Sequence, residues 1–198
     1  MKKLFLTAAV AVSSLTFAQQ FGAKAGMNVS TISDEGFDDT KSKVGYYAGV
    51  FMNVPVSESF SIQPEVLYNN LGSKVSSTVL GTTYSSTLNL DYVAVPVMFQ
   101  YKATPQFYLE AGPEFGFLVN AKQKFDNGSS SIVTELDKED FNSFNMGVGL
   151  GLGFDISKNV GLNARYVAGF SDITKESGPA ADAKNKNNAF QVGLNIKF

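Results

Sequence analysis

Seven ionisable residues share a placement that could serve chemistry. Lys24, Glu65, Glu110, Glu114, Asp155, Arg165 and Lys197 each fall on the polar side of a stretch in which every second residue is apolar. Charges gathered on one side of such stretches have two uses. They can line a gated or ion-selective path. They can instead pair with one another and fill a narrow interior, because charges withdrawn from water must be paired. Arg165 is the natural hub for pairing, since a guanidinium fork can hold two carboxylates.

Hydrolytic chemistry fits these residues poorly. The chain has 0 His and 0 Cys, so a Ser or Thr nucleophile lacks its usual activator, and disulfides and thiolate metal sites are excluded. Glu110 and Glu114 imitate a glycosidase dyad. Four residues apart on one strand, however, they stand about 13 Å apart, too far for either hydrolytic geometry. The glycine-rich "GVGLGLG" at 147–153 breaks the nucleotide-loop spacing at Leu152, and no helix follows it. The acidic run 137–140 lacks the spacing and glycine of a calcium loop and reads as a solvated loop. No catalytic residue, metal ligand or cofactor site is assigned, and the chain reads as a non-enzyme.

The elements that carry these charges are strands. The last residues, "QVGLNIKF", place Val192, Leu194, Ile196 and Phe198 on one side and Gln191, Gly193, Asn195 and Lys197 on the other. That period of two is the strand signal. It recurs from Phe21 to Val29, Val44 to Val54, Phe60 to Tyr68, Tyr92 to Tyr101, Phe107 to Val119, Phe144 to Ile156 and Val160 to Phe170. Eight runs result. Short turns near 55–59, 102–106 and 157–159 alternate with long polar connections at 30–43, 69–91, 120–142 and 171–188. Two long connections read as hairpins reaching beyond the main sheet. One turns near Gly81, the other at Asn127-Gly128, a dipeptide suited to tight turns. Pro64, Pro96 and Pro113 interrupt runs, which predicts bulges or earlier strand ends there.

Most of the 18 glycines lie on the side opposite the apolar residues. A small barrel has room inside for few side chains. Glycines therefore belong on the inner wall, leaving space for Tyr47, Phe51, Tyr92, Tyr108 and Arg165, while the apolar face looks outward to lipid. The aromatics cluster toward strand ends, as interfacial girdles require. A terminal strand with no frayed end closes the ring, because an open edge in hydrocarbon leaves backbone groups unpaired.

Residues 1–18 read as a signal peptide: Lys2-Lys3, a short apolar run, then Thr16-Phe17-Ala18 before a cleavage point. Residues 19–198 then form the barrel domain. The net charge of −2 gives no sign of a nucleic-acid partner.

"DYVAVPVMFQY", "FYLEAGPEFGFLV", "VGLNARYVAGFSDI" and "QVGLNIKF" together resemble the small porin-like (PorT-like) outer-membrane β-barrel family. The likeness covers the chain from Gln19. It implies a Gram-negative outer-membrane location, contact with outer-membrane lipid, and a C-terminal signal read by the outer-membrane assembly machinery at Gln191, Gly193, Ile196 and Phe198. Ala94 stands where some relatives carry an acidic residue, so no lumenal charge is carried over there. The expectation is an all-β, eight-stranded antiparallel up-and-down transmembrane β-barrel. Its long extracellular loops would meet an unknown extracellular partner, and its lumen would be filled. The alternatives are a narrow porin-like solute channel and a secreted lipocalin-like carrier of an apolar ligand.

Overall fold

A computed structural model describes residues 19–33, 42–79, 82–173 and 185–198. The signal peptide expected over 1–18 lies outside the described residues. Among the described residues, nine strands form one sheet: β1 (Gln20–Ser33), β2 (Lys43–Pro55), β3 (Phe60–Val79), β4 (Thr82–Lys102), β5 (Phe107–Asp126), β6 (Ser131–Glu135), β7 (Phe144–Asp155), β8 (Val160–Asp172) and β9 (Lys186–Lys197). Eight of them pair antiparallel with their ring neighbours, and β9 closes onto β1. The closing seam is continuous from Gly22–Lys197 to Ser33–Lys186. The short β6 lies outside the ring and pairs with β5 above the end of β7.

The two faces follow the period of two. Phe21, Met27, Val50, Val66, Leu150 and Val192 all point outward and are exposed. A large apolar side chain left in water forgoes about 1.5–3 kcal/mol of transfer free energy, so a belt of them calls for lipid. Aromatic pairs bracket the belt. Phe60 meets Tyr101 at 5.0 Å at the short-turn end. Tyr46 meets Tyr68 at 6.0 Å, and Phe117 meets Phe144 at 5.4 Å, toward the long loops. A soluble carrier would bury these residues against its ligand, so that alternative falls.

Inside, glycines face rings. Gly22 pairs with Phe51 and Gly26 with Tyr47 across β1 and β2, and Tyr108 of β5 pairs with Gly153 of β7. A Cβ on Gly22 or Gly153 would collide with the ring opposite. Phe51, Tyr47, Tyr92 and Tyr108 are all buried.

The three prolines correct the sequence expectation. No register shift occurs at any of them; the shifts lie between Asp91 and Tyr92 and between Ala168 and Asp172. Instead the β2–β3 ladder skips Met52–Pro64, the β3–β4 ladder skips Glu65–Pro96, and the β4–β5 ladder skips Val97–Pro113. Each proline lacks the N–H that its seam needs, so the seam loses a bond and keeps its register. All three stand midway between the aromatic belts.

Strands β3, β4 and β5 have 20, 21 and 20 residues. A tilted crossing needs about 9–11. The surplus, with β6, projects beyond the long-loop end as a sheet; Asn127-Gly128 turns the β5–β6 hairpin as expected, and the turn expected near Gly81 lies outside the described residues.

Candidate functional site

The inner wall brings four of the seven sequence-selected charges together at one level. Arg165 Nη1 and Nη2 donate to Glu65 Oε2 and Oε1 at 3.0 and 2.8 Å. Its Nε donates to Glu110 Oε1 at 2.8 Å. Lys24 Nζ donates to Glu65 Oε1 at 3.0 Å. Two cations thus balance two carboxylates, and Arg165 is only 1% exposed. Neutral amides complete the shell. Gln63 donates to Glu65 at 2.8 Å and Gln100 to Glu110 at 3.0 Å. Asn53 Nδ2 in turn reaches Gln63 and Gln100 at 3.1 and 2.8 Å. Sequence reasoning passed over Asn53, Gln63 and Gln100, although they sit on the same parity as the charges.

The other three charges lie apart. Lys197 Nζ donates to Asp155 Oδ2 at 2.6 Å near the short-turn end. The cleft beside that pair holds about 20 Å³, lined in part by Gln63, Gln100 and Tyr108, room for about one water molecule. Glu114 joins no network. It is buried, and its Oε2 has no hydrogen-bond partner. It stands opposite Pro96 and Gly147, neither of which offers a side-chain donor.

Toward the long loops an apolar cluster shares the interior with buried polar side chains, among them Asn28, Asn69 and Lys43, whose Nζ donates to Leu71 O at 3.0 Å. Leu71, Leu90, Tyr92, Leu118, Phe141 and Ile173 belong to one buried cluster, with Leu88 packed against it. Between the two layers Tyr47 donates to Asn163 Oδ1 at 2.8 Å. The wall therefore encloses an ion-pair layer in the middle and a cluster of apolar side chains above it. Such an arrangement can hold a small barrel rigid and closed along its lumen. Among the described residues it gathers no group of His, Cys, Asp and Glu able to hold a metal.

The proposed assembly residues lie along β9. Gln191 and Gly193 face inward, Ile196 outward, and Phe198 N–H donates to Phe21 O at 2.8 Å beyond the strand's end.

Comparison with known proteins agrees with this architecture. The fold is similar to that of Ail, the attachment invasion locus protein of Yersinia pestis, at 14% identity and a TM-score of 0.51 over 90% of this chain and 98% of that one. Neisserial surface protein A matches at 13% identity and a TM-score of 0.47 over 91% and 97%. The outer membrane protein OprG from Pseudomonas aeruginosa matches at 12% identity and a TM-score of 0.44 over 91% and 96%. No curated protein matches the sequence. The family model described as "Outer membrane protein beta-barrel domain" matches residues 17–175. With that match covering most of a ring whose greasy face looks outward, the chain belongs to the outer-membrane β-barrel domain family.

Proposed function

We propose that this outer-membrane barrel is a structural or interaction protein, closed along its lumen, whose long-loop end faces outside the cell and carries binding. The amino terminus and short turns then face the periplasm. On this reading 1–18 direct export, and Gln191, Gly193, Ile196 and Phe198 present the assembly machinery with its signal. The single observation that carries the proposal is the double fill of the interior. Lys24, Glu65, Glu110 and Arg165 bond across the middle, and the Leu71–Phe141–Ile173 cluster sits above them. A solute path would have to break buried ion pairs, at several kcal/mol, and part an apolar core as well. Single-channel recording in planar bilayers tests this directly. The expected trace is flat; stable conductance steps would favour the narrow-channel alternative and sink the closed-lumen reading.

A further inference from the structure

Among the described residues, the sheet that rises past the membrane ends in an unpaired edge at β6. On either side of β6, Asn127 N–H donates to Ser130 O at 3.1 Å and Leu136 N–H to Ala121 O at 3.0 Å. These bonds bracket the strand and fix its alternation. Ser130, Ile132, Thr134 and Leu136 turn their backbone groups to β5. Ser131, Val133 and Glu135 turn theirs away, and among the described residues β6 pairs with β5 alone. All five residues of the strand are exposed. Edge strands are normally guarded by lysine, proline, a bulge or a covering element. Ser131-Ile132-Val133-Thr134-Glu135 has no lysine or proline and a single charge at its end. Its β-branched centre favours strand pairing.

A groove lies beside this edge. It holds about 320 Å³; Val75, Tyr84, Phe125 and Ile132 are its apolar lining, and several serines, Asp126 and Asn127 complete it. Phe125 pairs with Ser86 on one side and Ile132 on the other, and Ser86 pairs with Val75. These side chains continue the inner face, four residues beyond Leu71, Leu90 and Ala121 in the buried cluster. They continue the inward parity and lie beyond the aromatic pairs Tyr46–Tyr68 and Phe117–Phe144, past the level of the lipid-facing belt. Ile132 is nonetheless 67% exposed. The opposite face of the same sheet is charged, with Lys122 and Glu135 paired at 3.3 Å.

We propose that the free edge of β6 receives an extended polypeptide segment of a partner protein as an added strand, one of its apolar side chains entering the Tyr84–Phe125 groove. This rests on the proposed interaction role and specifies its site. Strand addition satisfies what the site offers: alternate backbone donors and acceptors give affinity, and the groove selects side chains on one parity. A sugar or lipid headgroup would use the groove but not the row of backbone groups. A second copy of the chain would use the row, pairing β6 with β6.

The test uses the full chain refolded into lipid nanodiscs. A phage-displayed library of short linear peptides is panned against it, and an enriched peptide is synthesised and titrated. Val133→Pro removes an outward N–H without touching the β5 ladder, a position where proline is tolerated. Ser131→Pro serves the same purpose if the first variant does not fold, as judged by heat-modifiable migration. Enriched peptides should alternate apolar and polar residues. Val133→Pro and Phe125→Ser should each weaken binding at least about tenfold, or 1.4 kcal/mol. Equal binding to Val133→Pro, or a library that yields no peptide displaced at this edge, overturns the proposal. A dimer that Val133→Pro dissociates overturns the partner assignment in favour of a second copy. Conductance measured on the same preparation separates the two readings: a flat trace without peptide binding sinks only the strand site, and an open lumen sinks only the closed-barrel role.

Discussion

Arg165 grips Glu65 with both terminal guanidinium nitrogens, at 3.0 and 2.8 Å, although a hundred residues separate them in the chain. The fork spans the lumen from β8 to β3, and its Nε reaches β5 through Glu110. Removing the hub leaves two buried carboxylates facing one lysine. Arg165→Met should therefore lower stability by about 3–5 kcal/mol, the usual cost of orphaning a buried charge. Adding Glu110→Gln, which leaves Lys24 and Glu65 balanced, should recover much of the loss. Urea titration of refolding into lipid vesicles reads both values. A neutral Arg165→Met would show that the network does not hold the barrel.

Glu114 predicts the opposite sign from Glu110. Its Oε2 is buried without a partner, whereas both oxygens of Glu110 are bonded. An unpaired buried polar group costs about 1–3 kcal/mol. Glu114→Gln keeps the shape and removes the carboxylate, so the same titration should show stability unchanged or raised within that range. Glu110→Gln should show a fall. Equal losses from the two would mean that Glu114 has found a partner in the lumen.

The sequence made the wall legible because alternation is a local property. Tyr47, Phe51, Tyr92, Tyr108 and the glycines facing them could be placed by counting in twos. The apolar cluster could not. Leu71, Leu90, Phe141 and Ile173 lie in or beside stretches that read as polar connections; pairing of the long β3 and β4 joins Leu71 to Leu90, and Phe141 and Ile173 reach them from outside the strands. Glu114 shares the parity of Glu110, so periodicity alone joined it to the charge network. Its isolation depends on which residues stand opposite, and register decides that. The prolines misled for a related reason: their rule concerns hydrogen bonds, and a ladder can drop a bond without dropping its register.

That lost bond is measurable. Pro96 leaves the Glu65 carbonyl without its ladder donor in the middle of the span, and Pro64 and Pro113 do the same for Met52 and Val97. Pro96→Ala restores the N–H and should add about 1 kcal/mol. Hydrogen exchange in nanodiscs should show the amides of Met52, Glu65 and Val97 less protected than those of Val148, Ala164 and Val192, which lie where no pair is skipped. Uniform protection around the ring would contradict a weakened β2–β5 wall.

The inner glycines should divide into two classes. A Cβ on Gly26 would press on the Val192 carbonyl oxygen, with Gly193 Cα at 2.6 Å behind it. Backbone on a closed seam cannot step aside, so Gly26→Ala should cost about 1–3 kcal/mol. A Cβ on Gly116 finds its nearest neighbour, Tyr92 Cδ1, at 3.4 Å. Gly116→Ala should be neutral or stabilise by up to about 1 kcal/mol through the unfolded chain. Thermal unfolding followed by gel migration compares the pair, and similar losses at both sites would mean that the lumen is more crowded than these distances imply.

Phe198 separates stability from assembly. Its N–H donates to Phe21 O at 2.8 Å, and its side chain is 77% exposed at the outer rim. In the folded barrel the ring does little beyond lying against lipid. Deleting it removes one backbone bond at the end of a seam that runs from Gly22–Lys197 to Ser33–Lys186. The loss should be modest, about 1 kcal/mol, when the shortened chain is refolded from urea into lipid vesicles. On the proposed reading of Phe198 as part of the assembly signal, the same deletion should sharply reduce the heat-modifiable, membrane-inserted form in cells. Normal insertion in cells would remove Phe198 from the assembly signal. A collapse of refolding in pure lipid would instead make its role structural.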